Sequence, residues 1–521
     1  MRAEWTRCVV AVLMISSMTA AASAAQPAAP AARIVIHADQ PGPTYSRDIF
    51  GQFAEHLGHG IYGGVWVGKE SPIPNIDGYR KDVVDALKEL EVPFVRWPGG
   101  CFADEYRWRD GVGQPAKRPV KVNTHWGGVT EPNSFGTSEY MGLIGLLGAR
   151  SYVSADVGAA SPGEVAEWVE YMTSPTGSSL AQERAANGHP APWALNYIGI
   201  GNELWGCGGN MRPEYAADVT RRYATFIKAP AGQTILKIAS GANTDDYHWT
   251  EVMMREAGTM IDGISLHYYT VPGVWEHKGS ATEFDEHAWA ATLAHTSRME
   301  ELLTKHSAVM DKYDPAKRVA LVVDEWGAWY DVEPGTNPGF LYQQSSLRDA
   351  LVAAINLNIF ARHADRVRMS AIAQMINVLQ AMMLTDGPKM VRTPTYWVYD
   401  LYKPWQDAQV VPIELNTPWY DKDEFAIPAV SASAVRAKDG HLRIALANAN
   451  PDGPVEVSVE LVGASATTVS GSVITAPQMN AHNTFEQPDA VRPAPFDGAQ
   501  IKAGVLSVAL PAESVVVLRL D

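Results

Sequence analysis

Asn196–Asn210 reads NYIGIGNELWGCGGN. A short apolar run stops at Gly201-Asn202-Glu203, and a loop rich in glycine and aromatics follows. A nucleotide loop, a catalytic acid and an ordinary strand end are the three readings of this stretch. Gly199 and Gly201 begin a G-x-G, but Leu204 stands where the third glycine of a dinucleotide fingerprint belongs. The turn also falls in mid-chain rather than after an early strand, which disfavours a nucleotide enzyme. The glycines fit a tight loop and close backbone approach instead.

The same pattern recurs along the chain. Strand-like runs start near Ile49 (IFGQFAEH), Pro93 (PFVRWPGG), Tyr152 (YVSADVG), Asn196 (NYIGIGNE), Leu236 (LKIASGAN), Ile261 (IDGISLHYY), Arg318 (RVALVVDEWG) and Arg368 (RMSAIAQMIN). Helical patterns lie between them. In SPGEVAEWVEYMT, Ser161 is placed as N-cap, Pro162 in the first turn and Glu164 at the capping-box position. Thr137 or Ser138 is expected to cap GTSEYMGLIGLLGA. In RPEYAADVTRRYATFIK, Tyr215, Val219, Tyr223, Phe226 and Ile227 form one stripe. Eight strand–loop–helix units predict an α/β fold, a (β/α)8 TIM barrel, over 46–401. A doubly wound sheet is the runner-up. From about Val430 the chain alternates like short strands, with the turn NPDG between two of them. This predicts a C-terminal antiparallel β-sandwich over 402–521. RIVIHAD, within 25–45, precedes the barrel and is expected to join that sandwich.

The chain has 521 residues, enough for such a barrel and a smaller domain. With 46% hydrophobic and 19% charged residues it is globular. A net charge of −16 argues against a nucleic-acid partner. At the N-terminus, Arg2 and Arg7 precede CVVAVLMISSMTAAASA, and Ala22-Ser23-Ala24 fits a cleavage site. Residues 1–24 therefore predict a signal peptide, and the protein is expected to be exported, periplasmic or extracellular. No later segment looks transmembrane, so no membrane partner is expected. Cys101 and Cys207 remain after cleavage; both sit in strand-end loops, and one disulfide or two free thiols fit equally.

Barrel active sites form at the C-terminal ends of the strands. Those ends carry Glu55 and His56, then Cys101, Asp156, Asn202 and Glu203, Asn243, His267 to Tyr269, Asp324 and Glu325, and finally Gln374 and Asn377. Glu203 and Glu325 stand out. Each closes an apolar strand, the fourth and the seventh, whose ends face across the barrel mouth. Two carboxyl groups about 5–5.5 Å apart suit retaining glycoside hydrolysis, one as acid and one as nucleophile. Their roles need opposite protonation states, which hydrogen bonds from groups such as His267 and Tyr269 can separate. His56 and His59 have metal-like spacing but lack further ligands, so neither metal nor cofactor is expected. No G-x-S-x-G elbow supports serine chemistry.

FAEHLGHGIYGGVWVG, RWPGGCFADEYRWRDGVG, GNELWGCGGNM, SLHYYT, DEWGAWYDVEPGTNPGFLYQQ and AQMINVLQAMMLTDG resemble glycoside hydrolase family 51, the α-L-arabinofuranosidases. The resemblance runs from about Val35 to the C-terminus. It implies a retaining double displacement with Glu203 as acid/base and Glu325 as nucleophile. By the same resemblance Glu55, Cys101, Trp126, Asn202, His267, Tyr269 and Gln374 bind substrate. The expected substrates are terminal arabinofuranosyl residues of arabinan, arabinoxylan (a hemicellulose) and arabino-oligosaccharides. An endoglucanase or xylosidase using the same chemistry is the alternative. A non-catalytic sugar-binding protein would be expected to lose one of the two acids, and both are present. Homo-oligomers, commonly hexamers, are implied as well. Four positions depart from many relatives: Cys101 for Asn, His59-Gly60 for Arg-Cys, and Leu204 for Asn. These departures are expected to touch rim contacts.

Overall fold

The computed structural model describes Met1 and residues 31–521; the stretch read as a signal peptide lies outside the described residues. Eight parallel strands close into a barrel: β1 (Gly51–Phe53), β2 (Phe94–Trp97), β3 (Arg150–Ala155), β4 (Tyr197–Ile200), β5 (Leu236–Asn243), β6 (Gly263–Thr270), β7 (Ala320–Ala328) and β8 (Val367–Ile372). All eight runs picked from the sequence are barrel strands.

Period-two alternation divides each strand between barrel interior and helical shell. Along β2, Val95 and Trp97 point outward, and Trp97 stacks on Tyr140 with ring centroids 4.8 Å apart. Phe94 points inward and packs with Tyr152 and Tyr197 into an aromatic plug. Arg96, two residues from Phe94, is therefore also inside. Barrel register then lines up the chemistry. Asn243 pairs with His267, and His267 with Glu325, in one row at the strand ends.

Helix starts follow local chemistry. Ser161 Oγ accepts from Glu164 N (3.3 Å), and Glu164 Oε2 accepts from Ser161 N (2.8 Å), which is the predicted capping box. The helix Thr137–Leu147 begins one residue earlier than expected. Its cap is Gly136, whose N–H is taken by Glu139 Oε2 at 2.8 Å, so neither Thr137 nor Ser138 is needed there. The helix Pro213–Phe226 also departs from its predicted stripe. Tyr215 and Phe226 are exposed, and the buried face is Ala216, Ala217, Thr220, Tyr223 and Ala224. Small residues let this helix lie close to its neighbours, and that outweighs the pull of the larger side chains.

Two sheets follow the barrel. Ala31–His37 lies in a five-stranded sheet, antiparallel to Ile413–Asn416 and parallel to Val455–Val462. This one parallel pair exists because the strand enters from the other end of the chain. A seven-stranded sheet holds Val430–Arg436, Leu442–Asn448 and Ser514–Leu520 at its centre. NPDG carries the chain from the seven-stranded sheet to the five-stranded one. The helix Leu347–Arg362 is buried almost throughout, between barrel and seven-stranded sheet, its Arg348, Asp349, Asn356 and Asn358 included. Asn358 pins that contact. Its Oδ1 accepts from Ser433 Oγ (2.6 Å) and Tyr402 OH (3.0 Å), and its Nδ2 donates to Ser431 Oγ (3.2 Å). A fully bonded polar group at such a seam fixes register without an unpaired cost.

Candidate active site

A cavity of about 720 Å³ opens over the C-terminal ends of the strands. Seven of the nine residues singled out as catalytic or sugar-binding line it directly: Glu55, Cys101, Glu203, His267, Tyr269, Glu325 and Gln374. Trp126 lines it from a loop. Asn202 lies just beneath, buried, with Oδ1 accepting from Arg96 Nη2 at 2.6 Å.

Glu203 follows the last residues of β4 in a left-handed conformation, at φ +43°. A residue with a Cβ takes that conformation at a cost of order 1 kcal/mol, so surrounding contacts must hold it there. They are visible. Glu203 O accepts from Gly206 N (2.7 Å) and Gly208 N (3.1 Å), which closes the glycine loop. A Cβ on Gly208 would fall 1.9 Å from Asn202 O and 3.1 Å from Asp104 Oδ2. The glycines after the acid thus serve close packing beneath it. Gly208→Ala is expected to destabilise the protein by about 1–3 kcal/mol and to lower turnover with it. A variant that melts and turns over like the wild type would refute that restraint.

Cys101 and Cys207 are joined, with S–S 2.09 Å. The bridge lies against the acid, its sulfurs 3.9 and 3.6 Å from Glu203 Oε2. Cys101 therefore offers no S–H, and the carboxyl faces two weakly polar sulfurs on that side. Glu203 Oε1 bonds Nδ1 of His267 at 2.9 Å. Burial raises the Glu203 carboxyl above the ordinary range; the hydrogen bond from His267 opposes this and the charge of Glu325 adds to it.

Glu325 is held differently. Oε1 accepts from Arg96 Nη1 at 2.8 Å, and Oε2 accepts from Tyr269 OH at 2.8 Å. One oxygen of Glu203, one of Glu325 and a His267 nitrogen all lie within 4.8 Å of one another. Arg96 sits over the Phe53 ring at 4.4 Å and beside Asp324, with Nε–Oδ2 3.6 Å.

Glu55 closes the other side. Its Oε1 accepts from Phe102 N (3.0 Å) and Trp126 Nε1 (2.8 Å), and its Oε2 accepts from Gln374 Nε2 (2.9 Å). Burial pushes this carboxyl up to about 7, against the Phe102 bond and with the Glu325 charge. Gln374 Oε1 is buried without a partner among the described residues, an acceptor open to a hydroxyl group. Behind Trp126 two loops cross tightly: a Cβ on Gly339 would meet Gly127 N at 2.4 Å. Glu55 and Gln374 follow β1 and β8, whereas Asn243, Thr244, Trp275 and Arg298 line the opposite side.

Some placements differ from expectation. Leu204 is fully buried, with Gly201 against its side chain, and is not at the rim. His56 is locked in the core, its Nε2 accepting from Trp97 Nε1 (3.1 Å) and its Nδ1 bonded to Glu131 (2.9 Å). Arg96, Trp205 and Trp329 belong to the site or its base and were not picked from the sequence; Asp324 was placed at a strand end there but given no role. A cation inside a four-residue buried strand was the available signal for Arg96.

Two family models match the chain: an α-L-arabinofuranosidase 1 domain over residues 86–288, and an α-L-arabinofuranosidase C-terminal domain over 324–514. The chain is 49% identical over 512 residues to an intracellular exo-α-L-arabinofuranosidase of Bacteroides ovatus, covering 98% of this chain and 100% of that protein. It is 29% identical over 482 residues to an intracellular exo-α-(1→5)-L-arabinofuranosidase of Streptomyces lividans, covering 89% and 71%. The crystal structure of a GH51 arabinofuranosidase from Xanthomonas axonopodis pv. citri superposes with a TM-score of 0.94 at 62% identity, covering 94% of this chain and 100% of that one. The expectation of export is corrected here. Both curated relatives are named intracellular, and residues 2–24 lie outside the described part of the chain.

Proposed function

Because this chain belongs to glycoside hydrolase family 51 and is an α-L-arabinofuranosidase, we propose that it removes terminal non-reducing α-L-arabinofuranosyl residues by double displacement, with Glu325 as nucleophile and Glu203 as acid/base. The observation that carries this reading is the carboxyl pair. Two acids share one buried imidazole, yet one is raised by burial and the other is clamped by Arg96 and Tyr269. A carboxylate oxygen of Glu325 attacks the anomeric carbon as its bond to the leaving oxygen breaks. Glu203 transfers its proton to that oxygen. Glu203 then takes a proton from water, which attacks the same carbon and frees Glu325. Two inversions return the starting configuration, and the close spacing of the acids favours this over a single displacement, which needs room for water between them.

Sugar hydroxyls are bound, on this reading, by Glu55, Asn202 and Gln374, with Trp126 packing at the closed end. The tight crossing of the Gly127 and Gly339 loops behind Trp126 fits a pocket that takes a chain end. This supports exo action on arabinan, arabinoxylan and arabino-oligosaccharides. Incubated with α-1,5-linked arabino-oligosaccharides, the enzyme should release arabinose as its first product. Nitrophenyl arabinofuranoside should be turned over about 100-fold better than the xyloside or cellobioside. Longer first products, or preference for the cellobioside, would refute it.

A further inference from the structure

Beneath the two glutamates lies a third acid. Asp324 lies within β7 just before Glu325 and is buried, with side-chain exposure of 2%. Its Oδ1 lies 3.1 Å from His267 Nε2, and its Oδ2 accepts from Tyr152 OH at 2.7 Å. His267 in turn bonds Glu203 Oε1 through Nδ1 at 2.9 Å. The three side chains form one line from β7 through β6 to β4: Asp324, His267, Glu203. Glu203 Oε2 has no nitrogen or oxygen partner among the described residues; only the bridged sulfurs approach it.

We propose that Asp324 is a positioning residue for the acid step: by accepting from His267 Nε2 it keeps that ring a donor at both nitrogens, so His267 Nδ1 donates to Glu203 Oε1 and the acidic proton is confined to Glu203 Oε2. The proposal rests on Glu203 being the acid/base. A neutral ring with its proton on Nε2 would present a lone pair at Nδ1. Glu203 would then give its proton to the ring from Oε1, where no leaving group can take it. The groups facing the imidazole support the charged ring. Asp324 and Glu325 reach it from β7, Glu203 from beyond β4, Tyr269 shares β6, and Arg96 and Tyr152 stand behind the acids on β2 and β3. Burial works against a charge on His267, but Glu325 and the bonds to Asp324 and Glu203 outweigh it and push the ring up to about 10. Asp324 is itself held below the usual carboxylate range: burial opposes its charge, and Arg96 and His267 prevail.

Charge balance agrees. Arg96 and His267 are offset by Asp324 and Glu325 while Glu203 is neutral. When Glu325 is esterified Glu203 becomes anionic, so the buried cluster stays near neutral through the step. Without the Asp324 charge, both His267 and Glu203 surrender protons at lower pH.

Asp324→Asn keeps an acceptor for Nε2 but removes the charge. Expected is a loss of about 100-fold or more in kcat/KM on phenyl arabinofuranoside, where acid assistance matters. The 2,4-dinitrophenyl glycoside should lose about 10-fold less, since its leaving group needs no proton. The basic limb of kcat/KM should also move to lower pH. Equal losses on both substrates with an unmoved limb would be a merely structural effect and would overturn the proposal. If Asp324→Asn fails to fold, the wild type still decides. With ¹⁵N-labelled histidine, and His267→Gln to assign the signal, the ring should carry two N–H groups at pH 7.5; a neutral ring would overturn the proposal. Glu203→Ala separates the two readings. If it shows leaving-group dependence and Asp324→Asn does not, this proposal alone fails; if neither does, both fail.

Discussion

Glu325→Ala is expected to lower kcat by about 10⁵-fold, a loss of roughly 7 kcal/mol of transition-state stabilisation. On the proposed mechanism this carboxylate attacks the anomeric carbon, and it accepts from Arg96 at 2.8 Å and from Tyr269 at 2.8 Å. Alanine supplies no nucleophile and leaves the Arg96 guanidinium facing Asp324 alone. A slow 2-fluoro arabinofuranosyl substrate should add one sugar mass to the wild type, on the peptide holding Glu325, and none to the variant. Azide should restore turnover and yield the inverted, β-configured arabinofuranosyl azide. Labelling of another residue, or ordinary turnover by the variant, would sink the double displacement with this nucleophile.

Glu203→Ala is expected to behave in the complementary way. Substrates with poor leaving groups should lose about 10²–10⁴-fold, the range for a positioned acid. A dinitrophenyl glycoside should still form the covalent intermediate and then stall, because no base activates water; its apparent KM should fall with kcat. Azide should rescue this variant and give the retained, α-configured product. An inverted product would mean the two roles are exchanged. In the wild type the raised Glu203 carboxyl keeps its proton to higher pH than an ordinary carboxyl, chiefly because it is buried. Activity should therefore fall as pH rises through that group's own titration, and Glu203→Ala should lose this limb.

Much of the site was legible because it sits where chain direction puts it. Glu203 and Glu325 each end an apolar run, and parallel strands in a barrel deliver such ends to one mouth. Arg96 and Asp324 were harder to see. Both are charged groups in the barrel interior, and nothing local in RWPGG or VVDEW says that a guanidinium will meet two acids from β7 and an amide from beyond β4. By the family resemblance His267 was read as a substrate-binding residue. Its two short contacts are instead with Glu203 and Asp324, at 2.9 and 3.1 Å, while Glu325 lies 3.5 Å away.

Periodicity, strand ends and turn chemistry are local properties, so the amino-acid sequence by itself determined the eight-strand barrel, the β-rich C-terminus and the two acids at one mouth. Only the tertiary structure decided matters that depend on distances between remote segments. These include the bond between Cys101 and Cys207, separated by 106 positions, the exposure of Tyr215 and Phe226 on Pro213–Phe226, and the parallel seat of Ala31–His37. They also include the line Asp324–His267–Glu203. GNELWGCGG specifies an acid after a strand. The bridge partner Cys101, the imidazole and the buried aspartate that surround it come from elsewhere in the chain, and folding alone brings them within bonding distance.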